Sequence, residues 1–222
     1  MSLQRSVAIV VLCVAAALVA APIAAQTGGS GPRAELGPQI TEPHPDYGTI
    51  NGKRYVNGYF GFSYAYPDGF EGNVVQSANA SGSLMYSLFT ASPTSQGGAD
   101  MRYISISCDT VKGTDTAKAF ADATVKTFSP GFDVVRTDKK YMFGGKQFYR
   151  VDLVSKSAPG APKVYQSQVF TLLPNYAVSF SFMGSRPEDI DTLVHSMESI
   201  TFMQAERPAS APLNAAKTNQ SK

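Results

Sequence analysis

From Lys163 to Phe202 the spacing of apolar positions changes twice, and each change marks an element. Tyr176, Val178, Phe180 and Phe182 alternate with Ala177, Ser179 and Ser181. A period of two places the large side chains on one face of a strand and small or polar ones on the other. The preceding run, Val164 to Leu173, is rich in β-formers and stops at Pro174-Asn175, a pair suited to a hairpin corner. Beyond Gly184 the period lengthens, and Ile190, Leu193, Val194, Met197 and Ile200 form a helical stripe. Ser185, three residues before Glu188, predicts a capping box, and Pro187 suits a first helical turn. The stripe needs a sheet to cover it, as the sheet needs the helix.

The same two periods recur upstream. Phe60, Phe62, Tyr64 and Tyr66 alternate with Gly61, Ser63 and Ala65, and Pro67-Asp68-Gly69 ends that strand. A β-rich run covers Leu84 to Ala91, a loop is expected at Gly97-Gly98, and Tyr103 to Cys108 alternates again. Thr114 is the expected cap of a helix through Phe128, with Ala117, Phe120, Thr124 and Phe128 on one side and Pro130-Gly131 beyond its end. Phe132 to Arg136 reads as a short strand. Lys140 to Phe143 and Lys146 to Val154 read as a hairpin about Gly144-Gly145, followed by a loop at Ser157 to Pro162. Consecutive strands with two interposed helices predict an α+β fold, an antiparallel twisted sheet with helices packed on it.

The ends follow other rules. Arg5, the apolar run Val7 to Ala20 and the small pair Ala24-Ala25 predict a secretory signal over residues 1–25, cleaved before Gln26. The run is about 14 residues, short for ~30 Å of hydrocarbon, and only if retained would it tether the chain to a membrane. Cys13 follows the bulky Leu12, unlike a lipid-acylation site. Residues 26–48 are Pro- and Gly-rich and predict a disordered linker, with His44 solvated in it. Residues 204–222 predict a disordered tail, which leaves 49–203 as one domain. The expected location is extracytoplasmic, periplasmic or secreted.

Composition narrows the chemistry. There are 19 Lys plus Arg against 17 Asp plus Glu; without Arg5 the basic count is 18, a net of about +1. That balance gives no electrostatic case for nucleic acid or an anionic membrane. Cleavage leaves Cys108 alone, so no internal disulfide is expected, and its strand position reads as a small buried hydrophobe. With no Trp, the core volume falls to 13 Phe and 11 Tyr.

No motif of a nucleophile elbow, phosphate loop, dinucleotide fingerprint or zinc helix is present. His195 lies opposite the helix stripe, grouped with Asp191 and Glu198, and reads as an exposed residue with helical partners. One His and one Cys in the domain leave no nitrogen–sulfur metal site. Asp68 and Glu71 read as turn residues, and Glu188, Asp189 and Asp191 as acids at a helix N-terminus rather than calcium ligands. Arg136, Lys139, Lys140, Lys146 and Arg150 are the candidate partner-binding cluster. Lysines that guard a sheet edge explain the same residues, with Asp133, Asp138 and Asp152 diluting the charge.

The run from Tyr55 to Phe70, with Tyr55, Asn57, Phe60, Phe62, Pro67, Gly69 and Phe70, resembles the opening of PsbP-like domains. The close, Tyr176 to Phe182 through Ser199 to Phe202, is similar to their last hairpin, helix and strand. The resemblance implies an α/β/α sandwich that acts as an accessory or ligand-binding domain without chemistry of its own. The simple leader differs from the bipartite transit peptide of photosynthetic members. Two expectations follow. One is a non-enzymatic envelope module that binds a protein partner or small ligand, without a cofactor. The other is an enzyme with a carboxylate or tyrosine site in a sheet–helix cleft, marked by convergent polar groups with perturbed protonation.

Overall fold

A computed structural model describes residues 45–79, 85–94, 101–111 and 116–203, the side chains of 77–79 and 138–139 excepted. The expected leader, most of the linker with His44, the Gly97-Gly98 loop, Thr114 and the tail lie outside these residues. In chain order come β1 (Thr49–Asn51), β2 (Arg54–Asn57), β3 (Phe62–Ala65), β4 (Phe70–Asn79), β5 (Met85–Pro93) and β6 (Tyr103–Thr110). Helix α1 (Ala117–Phe128) precedes β7 (Phe132–Phe143), β8 (Lys146–Ser155), β9 (Tyr165–Leu173) and β10 (Tyr176–Gly184). The chain closes with α2 (Pro187–His195), a 3-10 turn at Ser196–Ser199 and β11 (Thr201–Phe202).

The architecture is α+β, and the sheets are antiparallel throughout. Seven strands form the main sheet in the order β4-β5-β6-β10-β9-β8-β7. The aromatic strand of the opening does not join it. It sits in a second, four-stranded sheet, β1-β2-β3-β11, a layer that short strands do not announce. This small sheet and α2 cover one face of the main sheet, where Phe62, Tyr64, Phe89, Ile106, Phe148, Phe180, Phe182, Leu193 and Met197 share one core. On the other face α1 packs Phe120, Ala121 and Phe128 on Val151, Leu153, Phe170 and Ala177. The main sheet therefore lies between α1 on one side and α2 with the small sheet on the other.

The hairpin corner is where the sequence puts it, with Asn175 in the left-handed region at φ 66°. Several boundaries differ. Residues 132–143 form one long strand, its register interrupted between Val134 and Arg136 and between Arg136 and Lys139, and these irregularities broke its period. Helix α2 is capped by Arg186, not Ser185. Pro187 at the first position holds the residue before it extended, and Arg186 bonds the Asp189 carboxylate at 2.7 Å instead. The stripe's last members, Met197 and Ile200, sit in the 3-10 turn and just after it. Helix α1 is capped by Thr116, whose hydroxyl accepts from the Ala119 amide at 3.1 Å.

The residues behind the family resemblance hold the fold. Buried Asn57 donates through Nδ2 to the Asp46 carbonyl (2.7 Å) and the Tyr55 hydroxyl (2.9 Å), and its Oδ1 accepts from the Phe60 amide (3.0 Å). The Tyr55 hydroxyl donates to the Tyr47 carbonyl at 2.8 Å, tying the entering chain to β2. No helix among the described residues is long and apolar enough to cross a membrane.

Candidate functional site

The residues of the candidate basic cluster differ in burial and in pairing. Arg150 is buried on the α2 side of the sheet, with Nε 2.7 Å from Asp152 and Nη2 3.0 Å from Asp191. Its guanidinium also lies 5.9 Å from the Tyr141 ring centre. Arg136 pairs with the same Asp152 at 3.3 Å, and Lys146 lies over the Phe202 ring at 5.0 Å. Lys140 pairs in register with Tyr149, whose ring packs on the α1 side, while Lys139 lies opposite Arg150. Strand alternation thus puts Lys140 on the α1 face, away from Arg136, Lys146 and Arg150, and acids within the fold take up Arg136 and Arg150. What looked like a surface patch includes a buried ion network.

His195 is exposed, 3.2 Å from Glu198 through Nδ1, while Asp191 turns to Arg150. Cys108 is buried, and burial followed by the adjacent Asp109 pushes its thiol well above the ordinary range, away from thiolate chemistry. The hydroxyls of Tyr55 and Tyr64 are engaged on the aromatic face, Tyr64 with Ser196 at 2.6 Å. Among the described residues, no group of three His, Cys, Asp or Glu could hold a metal ion.

The feature with convergent polar groups lies on the opposite face, under α1. On the central strands the side chains facing α1 are small or polar: Ser107 and Asp109 on β6, Ala177 and Ser179 on β10, Gln168 on β9. Among the described residues, nothing large fills the space between them and the helix. Phe120, Thr124 and Phe128 of α1 and Phe170 of β9 wall the resulting cleft, about 310 Å³ counted out to its open mouth. Its free room is enough for about one water molecule. Phe120 meets Phe170 edge-on at 5.4 Å, and Phe128 meets Phe132 at 5.7 Å, which seats α1 over β7 to β9.

Two polar atoms on this floor have no hydrogen-bond partner, Asp109 Oδ1 and Gln168 Nε2. Asp109 is 5% exposed and Gln168 3%. Ser181 donates to Gln168 Oε1 at 2.6 Å, which fixes the amide so that its NH2 is the free end. Burial, with no neighbouring charge to offset it, pushes the Asp109 carboxyl up to about 7. Leaving a buried donor or acceptor unpaired costs about 1–3 kcal/mol for each group. Both residues line the same hollow.

The sequence reading ended this strand at Cys108, one residue short of Asp109. The available signal was the alternation of Ser105, Ser107 and Asp109 with Ile104, Ile106 and Cys108. It matches the polar set of β10 across the ladder.

No family model matches the chain, and no curated protein matches it. Solved structures do. A cyanobacterial PsbP from Synechocystis is 12% identical, covering 70% of this chain and 98% of its own, with a TM-score of 0.47. A variant of Mog1 has the same identity and coverages and a TM-score of 0.45. LpqN of Mycobacterium tuberculosis, described as involved in cell envelope biogenesis, is 15% identical over 64% of this chain and 83% of its own, with a TM-score of 0.39. At such low identity, function rests on the chain's own residues.

Proposed function

We propose that this chain is an extracytoplasmic binding module that holds a small ligand in the cleft between α1 and the seven-stranded sheet. The observation that carries this reading is the pair of buried, unpartnered atoms, Asp109 Oδ1 and Gln168 Nε2, on the floor of one cleft. A ligand that supplies a donor to one and an acceptor to the other recovers the cost of leaving them unpaired. The aromatic walls add apolar contact. The leader expected from Arg5 to Ala25 supports an extracytoplasmic setting.

The test is a fragment screen by NMR on the folded protein. Fragments are expected to shift the amides of Asp109, Gln168 and Phe120, and to lose that effect when Ser107→Leu fills the hollow. If no fragment moves those amides, the reading is wrong.

A second reading follows from the Asp109 carboxyl, pushed up to about 7, where it exchanges a proton readily. As a general acid or base it would make the cleft an active site. Turnover of a hydrolase substrate, abolished by Asp109→Asn with binding retained, would establish this over simple binding.

A further inference from the structure

We infer that the cleft under α1 selects a primary ammonium group attached to a short apolar body, with Asp109 as its counter-ion. This rests on the cleft being the binding site. Asp109 Oδ1 is buried without a partner, and no described cation is paired with it. A carboxylate so placed lacks only a positive donor to stabilise its charge. The walls are Phe120, Phe128 and Phe170, whose ring faces attract a cation and whose edges fit a hydrocarbon chain. The free room in the cleft matches about one water molecule. An ammonium head is of that size, and a trimethylated one is not. Gln168 Nε2 adds a free donor, which favours an oxygen acceptor near the amine.

The groups facing Asp109 leave the assignment clear. On its own strand Ser107 faces the same way, and the neighbouring Cys108, on the opposite face, is held neutral by burial and by Asp109 itself. Strands β5 and β10 oppose it with Met85 and Ala177. The cleft residues of α1 and β9 are uncharged, and the charged Lys118 and Asp122 of α1 bond each other in exposed positions. Lys126 of α1 is exposed as well. The carboxylate must be ionised to hold an ammonium, so binding strengthens as pH rises toward 7 and levels off above it.

The experiment titrates the folded protein with n-butylammonium, n-butanol and n-butyltrimethylammonium, following the Asp109 side-chain carboxyl carbon by NMR. Saturable binding is expected for n-butylammonium, at least tenfold tighter than for the other two, and weakening close to tenfold from pH 6.5 to pH 5.5. Asp109→Asn is expected to weaken n-butylammonium binding tenfold or more while leaving the amide spectrum folded. Equal binding of n-butanol, a flat pH profile, or no saturable shift overturns the inference, as does an unmoved water held between Asp109 and Gln168. These measurements on the unaltered protein decide the matter even if the variant fails to fold. If screened fragments bind in the cleft and n-butylammonium does not, only the ammonium selectivity falls; if neither binds, the cleft reading falls with it.

Discussion

The two faces of the main sheet are built from the same strands yet treat water differently. On β10, Phe180 and Phe182 face the small sheet and α2, while Ser179 and Ser181, one residue away, face the α1 side. The first face is filled: Phe180 lies 5.6 Å from Phe62, 5.7 Å from Tyr64 and 6.2 Å from Phe148 between ring centres. The second keeps a hollow lined by two residues with one unpartnered atom each, Asp109 Oδ1 and Gln168 Nε2. One face gains stability from burial, and the other gives some up to leave groups free. The aromatic interface agrees with a sheet that hides its rings from water; the cleft departs from a scaffold without assembled reactive groups.

Breaking the filled face has the largest expected effect. Phe180→Ala leaves a cavity among three rings and is expected to cost about 3–5 kcal/mol in urea unfolding. Arg150→Ala strips the buried Asp152 of its nearer partner, leaving Arg136 at 3.3 Å, with an expected loss of about 3 kcal/mol by the same assay. Gly72→Ala places a Cβ 2.8 Å from the Phe89 ring and 2.9 Å from the Tyr66 ring, an overpacking expected to cost about 1–3 kcal/mol.

The cleft face answers to pH instead. The folded Asp109 carboxyl, pushed up to about 7, binds its proton more tightly than the unfolded one near 3.8. Its contribution to stability is therefore full below about pH 4 and is lost as pH rises to about 7, by no more than about 4 kcal/mol. Asp109→Asn removes that slope and is expected to gain about 1–2 kcal/mol over the parent at pH 8, measured by urea midpoints at pH 5 and pH 8. Smallest is Lys118→Ala, which loses an exposed pair with Asp122 and is expected to change stability by less than about 0.5 kcal/mol.

Much of this was legible in the chain because it is local. Hairpin, α2 and its Pro187 start follow from period and turn chemistry within a few residues. The cap at Arg186 was misplaced because Pro187 constrains its predecessor more strongly than Ser185 and Glu188 attract each other. The second sheet was illegible because β1 and β11, at three and two residues, carry no period of their own. Strand β7 hid behind its irregular register. The burial of Arg150 between Asp152 and Asp191 was illegible because Asp191 reaches it from a helix 41 residues further on. The cleft was least legible: Asp109 acquires meaning only when Gln168 and Phe120, from other elements, close around it.

Strand β10 is buried along its whole length and bonded on both flanks, to β6 from Tyr176 to Met183 and to β9 from Tyr176 to Gly184. Its amide hydrogens can reach solvent deuterium only when the whole domain opens, so their exchange rate reads the global free energy of unfolding. The left-handed corner at Asn175 holds the strand in step; a slip of one residue would drive Phe180 into the hollow and Ser179 among the rings. Fullness on one side and emptiness on the other are thus maintained together, by a single strand that cannot loosen for either without unfolding both.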